Sequence, residues 1–214
     1  MTTSPASRSS MLYDARRIQI VEAAREVIEE HGPGAFTGQI AARAGLARPN
    51  VYRHFASRDE LDHLVARSAY RDLRAAILEQ ITTSGTALQV TRAPIAAQVT
   101  WAGEHPNLYR FLVALGHQQL ARRRGDRGAF AADLAAAAAR HIPRFGQDPH
   151  RAEATLVALI GMVDASMLHW LDRPTCSREQ LIDSLTAQAW VVIDLHLRAV
   201  GVELDPSAPM TITP

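Results

Sequence analysis

Apolar residues recur at steps of three and four through almost the whole chain, and each run stops near a glycine or a proline. That spacing constrains the fold more than any other feature. It is the period of a helix, not the two-residue alternation of a half-buried strand. Between Asp14 and His31 the stripe is Ile20, Val21, Ala24, Val27 and Ile28, with Arg17, Glu22, Arg25, Glu26 and Glu29 mostly off it. His31-Gly32-Pro33-Gly34 then ends the run, because neither Gly nor Pro continues a helix cheaply. Thr37 stands where an N-cap belongs, opening a short second helix that closes near Ala44 and Gly45. A third short helix is expected from Arg48 to Phe55. A fourth begins after Ser57, with Glu60 three residues on in a capping-box pattern, and runs over 58–83. Further helices are predicted over 86–104, 106–119, 126–143, 149–171 and 178–199. No segment alternates like a strand between turn signals, and no repeat of solenoid length is present. The fold class is therefore all-α.

Bulk properties bound the function without naming it. The chain has 214 residues, which suits one large domain or a small domain joined to a larger one. The single cysteine, Cys176, excludes an internal disulfide or a cysteine-based metal site and fits a reducing compartment. The first ten residues are polar and lack the apolar core of a secretory signal. No unbroken apolar run reaches the roughly 18 residues of a membrane span. The expected location is cytoplasmic, with no membrane partner. Net charge is +1, so any claim on nucleic acid must rest on a local patch.

One window supplies such a patch. Residues 37–58 hold Arg43, Arg48, Arg53 and Arg58 and no acid, a net +4, and the first carboxylate is Asp59. Two short helices joined by a Gly-containing turn make a helix-turn-helix, whose second helix suits the major groove. Ile40, Ala41, Ala44, Leu46 and Val51 are apolar and small enough to hold the helices close, and Phe55 can lock the second onto a core. Gly45 gives the turn its backbone freedom, and Pro49 falls in a first helical turn, where its missing N–H costs little. The remaining residues, Thr37, Gln39, Arg43, Arg48, Asn50, Tyr52, Arg53, His54 and Arg58, are expected to face outward. Arg and Asn can each make paired hydrogen bonds to a base edge, while Tyr, Thr and His donate to phosphates.

The stretch Ile18–Val65 resembles the N-terminal DNA-binding domain of the TetR family of bacterial transcriptional regulators. The resemblance is carried by "IVEAAREVIEEHG", "IAARAGL" and "VYRHFASRDEL". It implies that Thr37, Tyr52 and His54 hold phosphates, that Arg48, Pro49 and Asn50 face base edges with Arg53 beside them, and that Arg58 grips the backbone. Gly38, Ala47 and Pro49 depart from the family's usual residues. Ala47 in particular removes a capping hydroxyl from the third helix. The domain plan expected is a flexible segment 1–13, a three-helix DNA-binding domain 14–60, a larger helical ligand-binding and dimerisation domain 61–200, and a tail 201–214.

For that larger domain the sequence offers candidates. "ATLVALIGMV", residues 154–163, carries no charge on any face and must be covered on all sides. A two-fold dimer is expected through Leu156, Ile160, Val163, Leu181, Leu185, Ala189, Val192 and His196. A pocket for a small, largely apolar effector is expected among Trp101, His105, Tyr109, Phe111, His117, Met162, Met167 and Trp170. The Arg-rich run 122–127 reads as a solvated loop, or as a seat for an anionic group. No nucleophile elbow, paired metal-binding histidines or phosphate loop after a strand is present, so catalysis, metal and cofactor are not expected. The sequence-level reading is a ligand-responsive repressor that binds a palindromic operator as a homodimer. Two alternatives stay open: a helical module whose Arg window binds an acidic protein or a membrane surface, and an activator in place of a repressor.

Overall fold

The structure is a computed structural model and describes residues 5–81, 85–120 and 126–209. The helices are α1 (Pro5–His31), α2 (Thr37–Arg43), α3 (Arg48–Val51), α4 (Arg58–Leu78), α5 (Ala87–Glu104), α6 (Pro106–Leu120), α7 (Asp126–His141), α8 (Pro149–Asp172) and α9 (Arg178–Ala199). One 3₁₀ turn, Pro143–Gly146, follows α7. Among the described residues the only extended pairing is an isolated antiparallel bridge between Thr86 and Pro209. The all-α expectation stands, and α5 to α9 begin and end within two residues of the predicted spans.

Three local expectations are corrected. α1 starts at Pro5, so residues 5–13 are helical and not a flexible lead. Ala6, Arg8, Met11 and Leu12 are good helix formers, and Pro5 sits at the end where its absent N–H is harmless. Thr37 is the first helical residue of α2, not its cap. The cap is Phe36, whose N–H donates to Gln39 Oε1 at 2.7 Å. α3 closes at Val51, not Phe55. Its N-cap Ala47 has no side chain to satisfy the free N–H groups. Beyond Val51 the chain tightens, with Arg53 N–H donating to Asn50 O and His54 N–H to Val51 O.

The chain divides into two compact units, one formed by residues 1–71 and 105–115, the other by 72–104 and 116–214. In the first, Ile20, Ala24, Val27, Ile28, Ile40, Ala41, Val51, Phe55, Leu61 and Val65 form the buried core. α2 ends in a turn that needs Gly45 at φ +67°, with Gly45 N–H on Ala42 O and Leu46 N–H on Ala41 O. The first part of α6 belongs here too. Asn107 Nδ2 donates to Glu29 O at 2.8 Å, and Leu108 N–H donates to Glu29 Oε2 at 3.0 Å.

In the second unit α5, α7, α8 and α9 surround an apolar interior. α8 is capped by Asp148, which accepts from Arg151 N–H at 3.1 Å, and α9 by Ser177 with Gln180 in a reciprocal capping box. Residues 202–209, expected as part of a tail, are packed on the second unit, and residues 210–214 lie outside the described residues. Leu88 N–H donates to Pro206 O, and Val202 and Leu204 pack against Phe145 and Leu197. α8 is long and apolar enough, by composition, to cross a membrane. Asp164, inside the helix, breaks its apolar run, and Arg151, Glu153 and Asp172 stand nearer its ends, so no run of 18 apolar residues is present in the sequence. Its inner face buries Ala152, Leu159, Val163 and Met167, while Asp164 accepts a hydrogen bond from Gln98 Nε2 at 3.1 Å.

Candidate nucleic-acid interface and ligand cavity

The basic window lies in the first unit, and its residues divide into three groups. Arg48, Pro49, Tyr52 and Arg53 are exposed, and Asn50 is half-buried. Among the described residues no carboxylate pairs with Arg48 or Arg53. Arg43 and Arg58 are different. Arg43 ion-pairs with Glu26, at 2.9 Å, and with Glu30 on α1, and holds the Glu30 carboxyl below its usual range. Arg58 pairs with Asp62 at 2.7 Å and also donates to Ala35 O at 2.8 Å. Burial pushes the Asp62 carboxyl up, and Arg58 opposes that shift. Of the four arginines, two are thus matched within the unit and two face outward.

Thr37 is buried, against the expectation that it faces outward. Its Oγ1 accepts from the Tyr52 hydroxyl at 3.4 Å and from Arg58 at 3.5 Å. That places Thr37, Tyr52 and Arg58 in one hydrogen-bonded group. The Thr37 contact, then Arg48, holds the Tyr52 hydroxyl below its usual pKa. Gln39 is half-buried and spends its side chain on the Phe36 N–H.

His54 is held from behind by two residues that the sequence reading left out. Its ring lies 4.9 Å from the Tyr13 ring, and its carbonyl accepts from Arg17 Nη1 and from the Tyr13 hydroxyl. His54 Nδ1 is enclosed and has no hydrogen-bond partner among the described residues. Arg17 also lies over the Phe55 ring at 4.5 Å and pairs with Glu60 at 2.7 Å. Glu60 raises the Arg17 pKa, and Arg17, with the Ala56 N–H, lowers that of Glu60. Glu60 Oε2 accepts from Ala56 N–H at 2.6 Å, while Ser57 Oγ caps the Glu60 N–H at 3.1 Å. Arg17 and Glu60 therefore fasten the end of α3, which has too few helical bonds to hold itself. The charge of Arg17 off the apolar stripe of α1 was the available signal. Its partner lies 43 residues away, so no local pattern disclosed it.

The second unit encloses a cavity of about 180 Å³. Its wall is largely apolar, with Ile95, Phe130, Phe145, Leu159, Trp190 and Ile193 prominent, and the polar side chains on it are Thr91, Gln98 and His141. None of the eight residues proposed for the pocket lines it. His105, Tyr109 and Phe111 belong to the first unit, where Tyr109 and Phe111 are buried. Trp101 and Met167 are packed core, Met162 is half-buried, and the Trp170 indole N–H donates to Cys176 O at 2.8 Å. The side chain of His117 and the run 122–127 lie outside the described residues. The wall is assembled from aliphatic residues of several helices together with Phe130, Phe145 and Trp190, a combination that no single stretch of sequence displays.

The dimer candidates need a similar correction. Leu181, Leu185, Ala189 and His196 are buried within the unit, and His196 is fixed by Phe145 O at 2.9 Å from Nε2. Leu156, Ile160, Val163 and Ala189 line the cavity, and Val192 is half-buried. The helical spacing had identified the inner stripe. The outer faces of α8 and α9 carry Val157, Val191 and Leu195, the last two each 67% exposed. Ala154, Ala158, Gly161 and Ala165 are exposed along the same helix as Val157.

Comparison with known proteins agrees with the first unit's geometry. The family described as "Bacterial regulatory proteins, tetR family" matches residues 20–63. The HTH-type transcriptional repressor LfrR of Mycolicibacterium smegmatis is 35% identical over 97 residues, 45% of this chain and 50% of that one. The HTH-type transcriptional activator FasR of the same organism is 26% identical over 181 residues, 83% of this chain and 82% of its own. The fold is that of a tetR-family transcriptional regulator from Streptomyces coelicolor, with a TM-score of 0.68 at 20% identity over 88% of this chain and 86% of that one. LfrR in complex with proflavine has the same fold, with a TM-score of 0.54 at 22% identity over 83% of this chain and 95% of that one.

Proposed function

We propose that this chain, whose residues 20–63 match the tetR family of bacterial regulatory proteins, is a TetR-like transcriptional regulator with an N-terminal helix-turn-helix: a cytoplasmic, ligand-released repressor acting as a homodimer. The observation that carries the DNA reading is the exposed set Arg48, Pro49, Tyr52 and Arg53, with two arginines that pair with no carboxylate among the described residues. Arg48 and Asn50 read base edges, with Pro49 and Arg53 beside them. Tyr52 donates to phosphate, with Thr37 and Arg58 behind it. His54 holds phosphate if its enclosed ring is released, and Gln39 supports the start of α2.

The dimer forms through the outer faces of α8 and α9, where Val157, Val191 and Leu195 present apolar surface at helical spacing. Two reading heads then meet successive major-groove faces of a palindromic site. The effector occupies the 180 Å³ cavity. α4 carries Ile77 in the cavity wall and Arg58 at its other end, so a ligand that displaces α4 changes the reading heads. The ligand must favour the displaced geometry for this to matter. A ten- to hundred-fold loss of operator affinity requires about 1.4 to 2.8 kcal/mol of coupling. LfrR binds proflavine, which supports a small-molecule effector without identifying this one.

Selection of bound sequences from a random DNA pool tests the reading. A palindromic consensus is expected, and a reporter driven by that sequence should be silenced. Enrichment of no sequence, together with binding to anionic vesicles, would favour the membrane-surface alternative. A reporter that is switched on would make the protein an activator, as FasR is. Leu195→Glu should convert the dimer to single subunits in light scattering. An unchanged mass would move the interface elsewhere.

A further inference from the structure

Besides the Trp190 indole, the cavity has three polar side chains on its wall, and two of them are already engaged within the fold. Thr91 Oγ1 donates to Ala87 O at 2.9 Å, one turn back along α5. The Gln98 amide is turned to Asp164 by the 3.1 Å bond from Nε2. An ionised carboxylate only accepts, so it fixes which end of the amide faces it. His141 differs from both. It is half-buried and has no hydrogen-bond partner among the described residues.

The surroundings of His141 favour negative charge. It is the last residue of α7. Arg140 precedes it and Arg144 follows in the 3₁₀ turn, both exposed. Arg144 donates to Gly201 O at 3.2 Å, and among the described residues neither arginine pairs with a carboxylate. Glu203 pairs with Arg198, Asp148 accepts from the Arg151 N–H and Asp205 from the Ser207 N–H, while Asp194 pairs with Arg198 through Oδ2 and keeps Oδ1 buried without a hydrogen-bond partner among the described residues.

We propose that the cavity takes a monocarboxylate with a long apolar body, such as an acyl chain, and that His141 binds its carboxylate. The apolar wall covers the chain, and either protonation state of the imidazole offers an N–H donor to the head. The inference rests on the reading of the cavity as the effector site and adds the chemistry of the head group.

Trp190 lines the cavity, so its fluorescence reports occupancy. The experiment titrates the full-length protein with laurate, methyl laurate and laurylamine below their micelle concentrations, with Trp190→Phe as the control for signal origin. Laurate should bind about ten-fold or more tightly than the ester or the amine. His141→Ala should bring laurate down to the ester's affinity and leave the ester unchanged, and His141→Gln should keep part of the laurate preference. Unchanged ester binding shows that the variant's cavity is intact. Equal binding of all three probes, or a laurate preference that survives His141→Ala, overturns the head-group assignment alone. No response to any probe overturns the cavity reading and this inference with it.

Discussion

The two units solve recognition in opposite ways. The first presents an exposed, charged surface built from residues adjacent in sequence: Arg48, Pro49, Asn50, Tyr52 and Arg53 occupy little more than one turn of chain. The second encloses an apolar space whose wall is gathered from α4, α5, α7, α8, α9 and the strip after α9. Charge acts over several ångströms through water, so a few aligned side chains suffice to attract a polyanion. Hydrophobic burial acts only at contact, so a cavity for an apolar molecule must recruit many elements. It follows that the first site should fail through single residues, whereas the second should yield gradually to wall substitutions.

The largest expected effect comes from removing what holds the reading surface in place. Phe55 is 1% exposed beneath α3, and Phe55→Ala should cost about 3 to 5 kcal/mol. Hydrogen exchange should show faster exchange in residues 18–65 than in the helices around the cavity. Uniform loss of protection across both units would mean that they unfold as one.

Next come the reading residues themselves. Arg48→Ala or Asn50→Ala should lose about 1 to 3 kcal/mol of discrimination between the selected site and random duplex. Tyr52→Phe should weaken both duplexes nearly alike. The reverse pattern in a competition assay would exchange the two assignments.

A smaller effect is expected at the fastening behind α3. Arg17→Ala removes the donor to the His54 carbonyl and the partner of Glu60. It should lower DNA affinity more than thermal stability. The pH dependence has a definite sign. The folded-state pKa of Glu60 is depressed, so its stabilisation is present above the unfolded carboxyl value of about 4.5 and is lost as pH falls through the folded value. Glu60→Gln should therefore make the acid limb of the melting curve shallower. An unchanged limb would place the acid sensitivity elsewhere.

The smallest expected change is a gain. A Cβ at Gly38 would meet nothing within 4 Å, and the residue lies in α2 with ordinary backbone. Gly38→Ala should stabilise by roughly 0.5 to 1 kcal/mol, measured by chemical denaturation.

The same contrast explains what the sequence disclosed. Helix number, breaks and the turn at Gly45 follow from local periodicity and from residues whose backbone preferences act on their own neighbours. The outward set on α3 was legible because charge and position coincide within a few residues. The buried state of Thr37 and the pairing of Arg43 with Glu26 and Glu30 were not, since each depends on a partner from another helix. In α9 the stripe through Leu185, Ala189 and His196 was recognised, but not which neighbour it meets. An apolar stripe looks the same whether it faces its own core or a second subunit. Exposure is what periodicity does not report: Leu185, Ala189 and His196 are buried, whereas Val191 and Leu195 on the same helix are exposed.

The most direct test is the salt dependence of duplex binding by fluorescence anisotropy, using the selected operator. If the proposed homodimer binds, two arginines per subunit that pair with no carboxylate among the described residues predict that log K falls linearly with log salt, with a slope of about −4. A slope of about −7 would mean that Arg43 and Arg58 exchange their carboxylates for phosphates. A flat response, or no binding to any duplex even in dilute buffer, would contradict the assignment of this surface to DNA.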